Sequence, residues 1–355
     1  MQACKVMESF QVPAEALRLR DVVARTGLPK GTVFRLLYTL HSQGFVEKTG
    51  QNQYRLRITL PKQGRLRLGF AMAGQTRGFG RIVADSLVRA AQSEGSELII
   101  LDNKDSGTAL RNADFFIREH VQIAIEFQGD PSNAEMLSAK LLGAGIPLIA
   151  VDVPLPGAAY FGANNYQVGI IGGRAMGRWV KLHWGRIGVD VVLVGETGPS
   201  TTAQSRIKGM LAGLSQTWEG GQGYQSFRFD GSGDFESSYE AVRKHLSRAA
   251  PRETLVGAIN DAAALGAIQA FREAGRQQLC AVMGCNAEPE ACAEMRLPGT
   301  RMIGSVGCFP ERYGPGILSL AKTILNGSQA TPVVFMRHSL LTPANVSRIY
   351  SAPAI

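Results

Sequence analysis

The recurrence of short apolar runs through most of the chain constrains its fold more than any other feature. Seven of them, LRLGFAMA, ELIILD, VQIAIEF, IPLIAVD, VVLVG, TLVGAI and CAVMG, lie between Leu66 and Gly284. Between them stand segments such as IVADSLVRAAQSEG, AEMLSAKLLGAG and DAAALGAIQAFREAG, whose apolar residues return at helical spacing. A strand that is apolar on both sides must be covered on both faces, and crossover helices supply that cover in a parallel sheet. The pattern therefore predicts an α/β, doubly wound architecture. At least seven strands over about 290 residues fit two lobes better than one sheet. Ligands of such folds sit outside the carboxyl ends of the strands, so the loops that follow these runs are where binding residues are expected.

The first 67 residues obey a different pattern. They hold 12 Lys and Arg against 4 Asp and Glu, which leaves them +8 of the chain's net +9. Charge gathered so locally is the footprint of nucleic acid, less often of an anionic membrane surface. Within GLPKGTVFRLLYTLHSQGFVE, Val33, Leu36, Leu37 and Leu40 make one apolar helical stripe, while Lys30, Thr32, Phe34, Arg35 and Tyr38 lie largely off it. Leu19, Val22 and Val23 form an earlier helix that stops at Thr26-Gly27, and Pro29 opens the next one. FVEK and QYRLRI alternate as two short strands around the turn TGQNQ. Two helices followed by a hairpin predict a winged helix-turn-helix, whose second helix enters the DNA major groove.

Composition narrows the remaining classes. With 45% hydrophobic and 19% charged residues in 355, the chain belongs with soluble globular proteins. The expectation is a cytoplasmic protein without a membrane partner, because neither a secretory apolar run near the start nor an apolar stretch of about 18 residues is seen. Five cysteines without a C-x-x-C pair point to reduced thiols, not to a disulfide or metal framework. No P-loop lysine follows GETGPSTT, no G-x-S-x-G elbow exists, and five histidines are scattered without metal spacing, so no enzyme, metal or cofactor is expected.

The stretch LRLRDVVARTGLPKGTVFRLLYTLHSQGFVEKTGQNQYRL resembles the IclR-type winged helix over nearly its whole DNA-binding module. The resemblance implies that Lys30, Thr32, Phe34 and Arg35 meet the groove and that Arg55 or Arg57 on the wing reaches phosphate. Phe34 has a second reading, in which it packs against the preceding helix. The implied domains are 1–60 for DNA binding, a linker at 61–65, and 66–355 for ligand binding.

From Leu68 to about Ile349 the chain is similar to the type I periplasmic-binding-protein fold in its soluble form, close to ribose-binding and lactose-repressor-type sensors. The matching stretches are GAGIPLIAVDVPLPGA with ANNYQVG, SRIKGM, INDAAALGAIQAF, VMGCN and SVGCFPERYG. They imply one lobe from about 66–163 and 309–337 and another from about 164–308 and 338–355, with crossovers near Asn164, Cys308 and Arg337. The implied sugar contacts are Phe79, Asp152, Arg206, Phe235, Asn260 and Asn286. Carboxylate, amide and guanidinium satisfy hydroxyls, and aromatic rings cover the flat C–H faces of a sugar. All but Asn286 are given a plainer reading as well: core aromatics for Phe79 and Phe235, turn or helix caps for Asp152 and Asn260, a surface charge for Arg206. Three positions depart from sugar-binding relatives: Val153, Phe127 and Cys308 stand where those place Arg, Asn and Gln. That predicts a cleft less polar than a pentose site, open to a deoxy, methylated or aryl sugar or to a non-sugar ligand.

Together these readings predict a regulator with a DNA operator and a small-molecule effector as partners, most simply a homodimer. The rival readings are a transcription factor whose sensor domain serves only dimerisation, an exported binding protein, and a cytoplasmic enzyme on a doubly wound fold.

Overall fold

The computed structural model describes residues 2–10, 15–57, 65–73, 78–127, 131–184, 188–196, 201–218, 224–327 and 332–350. The expected linker therefore lies outside the described residues up to position 64. The chain divides into two compact units, residues 1–65 with 320–330 and residues 66–319 with 331–355.

In the first unit, α1 (Gln2–Glu8) precedes β1 (Ala16–Arg18), α2 (Leu19–Thr26), α3 (Lys30–Ser42), β2 (Val46–Gly50) and β3 (Gln53–Leu56). Helix α2 stops at Gly27, which takes φ 65° and donates its N–H to the Val23 carbonyl. That left-handed cap suits glycine because a Cβ would strain it. The Pro29 carbonyl then accepts the N–H groups of Thr32 and Val33 and starts α3. The strands pair antiparallel in the order β1-β3-β2. Val33, Leu37 and Leu40 of the expected stripe are buried with Val22, Val46 and Tyr54. Two elements enlarge the expected two helices and hairpin: α1, which buries Val6 in this core, and β1, a third strand. A three-residue strand is too short for its alternation to be legible.

The second unit begins with β4 (Arg67–Met72), α4 (Gly78–Ser93), β5 (Glu97–Asp102), α5 (Ser106–Arg118), β6 (Ile123–Phe127), α6 (Ala134–Gly143), β7 (Leu148–Val151) and β8 (Ala159–Gly162). Then come α7 (Asn165–His183), β9 (Asp190–Gly195), α8 (Thr201–Thr217), β10 (Ser226–Asp230), α9 (Phe235–Leu246), β11 (Thr254–Ala258) and α10 (Asp261–Glu273). After them follow β12 (Cys280–Asn286), α11 (Pro289–Met295), β13 (Met302–Gly307), α12 (Tyr313–Leu325, of which residues from 320 on are grouped with the first unit), β14 (Val333–Phe335), β15 (Ser339–Leu341) and α13 (Val346–Ile349).

These strands form two six-stranded sheets, ordered β14-β8-β7-β6-β4-β5 and β10-β9-β11-β12-β13-β15. Every pairing is parallel except β13 with β15. The fold is α/β with two doubly wound lobes, as the alternation of runs and helices implies. The chain passes between sheets after β8, after β13 and after β14. Each sheet reverses its winding once, between β4 and β6 and between β9 and β11, and ligands bind at the carboxyl ends beside such reversals.

One contact fixes α8 against α7 within the second lobe. Helices α7 and α8 meet backbone to backbone: a Cβ on Gly169 would overlap the Arg206 carbonyl oxygen and lie 2.8 Å from the Gly209 Cα. Nothing larger than hydrogen fits there, so this glycine sets where α8 presents Arg206.

Candidate functional site

On the first unit, α3 turns its polar side outward. Lys30, Phe34 and Arg35 are exposed and Thr32 is half-buried. Phe34 is 51% exposed, so the reading in which it packs against the preceding helix does not hold. Tyr38, one turn further along the same face, is 68% exposed, and its spacing from Phe34 is the signal by which it could have been added. On the wing, Arg57 is exposed, whereas Arg55 is ion-paired with Glu47, its Nε 3.1 Å from Oε1.

In the second unit, Arg206 and Asp152 are held on opposite lobes. The Arg206 guanidinium donates from Nε to Asn165 Oδ1 at 2.7 Å, and from Nη1 to the Ile259 carbonyl at 2.6 Å and Asn286 Oδ1 at 3.1 Å. It is thus tied to the start of α7 and to the ends of β11 and β12, and the surface-charge reading fails. Asn286 in turn donates from Nδ2 to Glu288 Oε1 at 3.1 Å. Asp152, just past β7, accepts on Oδ1 from the Ala163 N–H at 2.8 Å and the Tyr313 hydroxyl at 3.0 Å. Burial pushes its carboxyl above the usual range, opposed by the Ala163 amide, the field of Arg206 and the Tyr313 hydroxyl. Tyr313 is pushed well above its ordinary value by burial, then by Asp152.

An aromatic wall adjoins this polar pair. Phe79 meets Tyr313 edge-on with centroids 5.5 Å apart and Phe127 at 6.5 Å, and Phe161 meets Tyr313 at 5.4 Å. Below lie Ala163, Val168, Met210, Cys285, Val306 and Cys308, buried together with Phe79 packed on them. The three departing positions are thus part of the architecture: Phe127 is in the wall, Cys308 is in the apolar floor, and Val153 closes a tight turn by donating its N–H to the Val151 carbonyl at 2.7 Å.

The other expected contacts are placed less centrally. Asn260 caps α10, accepting from the Ala263 N–H at 2.9 Å and donating to the Gly233 carbonyl at 2.7 Å, which leaves one donor and one acceptor free. Phe235 is 41% exposed and stacks on Tyr239 at 6.5 Å; it is no core aromatic, and among the described residues no ring or polar contact joins it to Arg206 or Asp152.

Backbone geometry marks the same region. Seven described non-glycine residues have positive φ, and Asp152, Asn286, Ala287 and Phe309 are four of them. They cluster where β7, β12 and β13 end, and strain of this kind persists at sites that over-determine it. Asn165, Glu288, Tyr313 and His338 complete the site without having been anticipated. His338 lies between β14 and β15 and accepts the Asn164 N–H on Nε2 at 3.1 Å, tying two of the passages between lobes. Burial lowers its pKa, so the acceptor nitrogen is free of a proton at neutral pH.

Among the described residues no group of His, Cys, Asp and Glu could hold a metal ion, and no helix is long and apolar enough to cross a membrane. Cys280, Cys285, Cys292 and Cys308 are buried free thiols and Cys4 is an exposed one.

A winged helix joined to a two-lobed α/β binding fold defines the class. The sequence profile of the periplasmic binding protein domain matches residues 68–329, and that of the IclR helix-turn-helix domain matches residues 2–50. The chain belongs to the periplasmic-binding-protein-domain family and carries an IclR-type helix-turn-helix at its N-terminal end. A comparison with curated proteins finds no match. Among solved structures it is similar to a solute-binding protein of a Mycobacterium smegmatis transporter with bound glycerol, at 22% identity and TM-score 0.73, over 81% of this chain and 98% of that one. It is also similar to one from Actinobacillus succinogenes with bound D-allose, at 17% and 0.71, over 80% and 100%. A third, from Bacillus halodurans with bound myo-inositol, stands at 22% and 0.70, over 82% and 99%. At these identities the likeness is one of fold.

Proposed function

We propose that the protein is a DNA-binding transcriptional regulator whose operator affinity is set by a small polyhydroxylated molecule, a sugar or close relative, bound between its two lobes. The observation that carries this reading is the Arg206–Asp152 pair, half-buried on opposite lobes beside an aromatic wall, in a chain that also presents an IclR-type recognition helix. A ligand that touches both residues favours closure, which one held by a single lobe cannot do. It acts through its different affinity for open and closed states, typically ~1–3 kcal/mol of coupling. The wall of Phe79, Phe127 and Tyr313 supports a ligand with one extended apolar face. The ligands of similar solved structures, D-allose, myo-inositol and glycerol, supply the first probes. The protein acts in the cytoplasm as a homodimer, and the operator is an inverted repeat with half-sites about 10 bp apart or a multiple.

The test is a thermal-shift screen of monosaccharides, deoxysugars and cyclitols, followed by electrophoretic titration of operator DNA with and without each stabilising compound. A compound that raises the melting temperature and changes operator affinity is the expected result. Stabilisation by none of them, with operator binding intact, would mean that the sensor domain serves only assembly.

A further inference from the structure

A second concavity lies on the outer flank of the second lobe and shares no residue with the cleft. Its volume is about 780 Å³, within the range of about 300–1,000 Å³ that small-molecule pockets occupy. One wall is β10, the edge strand of its sheet, so alternate backbone N–H groups there are unclaimed by a neighbouring strand. The other wall is the second half of α9 and the turn that follows it. The floor is aromatic. Phe227 and Phe229 point to one side with rings nearly parallel, 13° apart and 6.4 Å between centroids, and the His245 ring lies 4.6 and 5.1 Å from them. Burial lowers the His245 pKa, which keeps that ring neutral.

The rim is cationic. Arg228, Lys244, Arg248 and Arg252 line it, all exposed, against Asp190 and Asp230. Arg252 is directed to Asp190 at 3.4 Å, and Asp230 accepts the Ser232 N–H at 2.9 Å. Arg228, Lys244 and Arg248 form no ion pair among the described residues. An aromatic floor beneath unpaired cations selects a flat ring bearing an anion. A second copy of this chain would bring the same cations together, which disfavours it as occupant. We infer that the groove between β10 and α9 is a second binding site, for a planar aromatic carboxylate. The ring lies on Phe227, Phe229 and His245, and the carboxylate meets Lys244 and Arg248. The site is independent of the ligand proposed for the cleft.

The test uses the full chain and 1-naphthoate in isothermal titration. One site per chain is expected, with affinity reduced about tenfold or more in the Lys244→Glu/Arg248→Glu double variant and equally for the neutral 1-naphthylmethanol. Both residues are exposed, so the double variant should melt like the parent. Photolabelling with 4-azidobenzoate locates the site directly and should mark a peptide within residues 224–252. Label on peptides bearing Asp152, Arg206 or Asn286 would assign the anion to the cleft and overturn the proposal. So would undiminished affinity in the double variant, or binding of an acidic peptide such as hexaglutamate where 1-naphthoate does not bind.

Discussion

Alanine at Gly169 should damage the ligand site from behind. In a helix interior alanine is favoured over glycine by about 1 kcal/mol, so propensity alone would make this change stabilising. Packing opposes it. The added methyl would overlap the Arg206 carbonyl oxygen and stand 2.8 Å from both the Gly209 Cα and the Met210 nitrogen. Ordinary contact needs about 3.5–4.0 Å, so α8 must retreat from α7 by roughly 1 Å. Arg206 holds Asn165 of α7 at 2.7 Å but Ile259 and Asn286 on the sheet, and it cannot follow both. One charged hydrogen bond is lost, about 1.5–3 kcal/mol, on top of about 1–3 kcal/mol for overpacking. Less the propensity gain, the net destabilisation is about 1.5–5 kcal/mol, or roughly 3–9 °C in melting temperature for a unit of this size. Thermal melts of wild type, Gly169→Ala, Arg206→Ala and the double variant form a cycle. With Arg206 absent, Gly169→Ala should cost about 1.5 kcal/mol less than in the parent. A Gly169→Ala protein that melts at or above the parental temperature refutes the packing argument. Strict additivity refutes its route through Arg206.

Other consequences follow from the same geometry. Arg206→Ala should weaken effector binding by ~1.5–3 kcal/mol and Asn260→Ala by about 1, read by isothermal titration with a sugar that shifts the melting temperature; equal affinities in all three proteins would reject the pocket. Arg35→Ala should weaken operator binding. Arg57→Ala should reduce the log–log salt slope by about one unit and Arg55→Ala by less, since Glu47 already neutralises Arg55; identical slopes would remove the wing from the interface. Glu126, fully buried on β6, accepts the Asn103 side-chain amide at 2.9 Å, and burial pushes its carboxyl up to about 8. A raised folded-state pKa means that its contribution is complete below the unfolded value of about 4.5 and is lost as pH rises towards 8. Glu126→Gln should therefore gain about 2–4 kcal/mol over wild type between pH 5 and pH 8 in denaturant titrations, and parallel curves at the two pH values would contradict this.

What could be read from the residues depended on how local the determining physics is. The seven apolar runs and the α3 stripe were legible because burial on one or both faces writes a period into the chain, and no tertiary partner need be known to see it. Strands β8, β10, β13, β14 and β15 were not: β8, β14 and β15 have three or four residues each, glycines interrupt MIGSVG in β13, and SFRFD in the edge strand β10 alternates without a long apolar stretch. The site divides along the same line. Asp152 and Asn286 stand in short motifs at strand ends and Arg206 in one on α8, whereas Asn165, Glu288 and His338 gain their roles only when separate passages of the chain converge. The departing residues carry the argument one step further. With Phe127 standing against Phe79 and Cys308 in the floor, polar contacts near the cleft fall to the Asp152–Tyr313 and Arg206–Asn286 groups at opposite lobes. A ligand with hydroxyls at both ends and an apolar flank satisfies that arrangement. One that is polar all round would leave hydroxyls facing Phe127 unpaired, at about 1–3 kcal/mol each, and discrimination against fully hydroxylated pentoses should follow from that penalty.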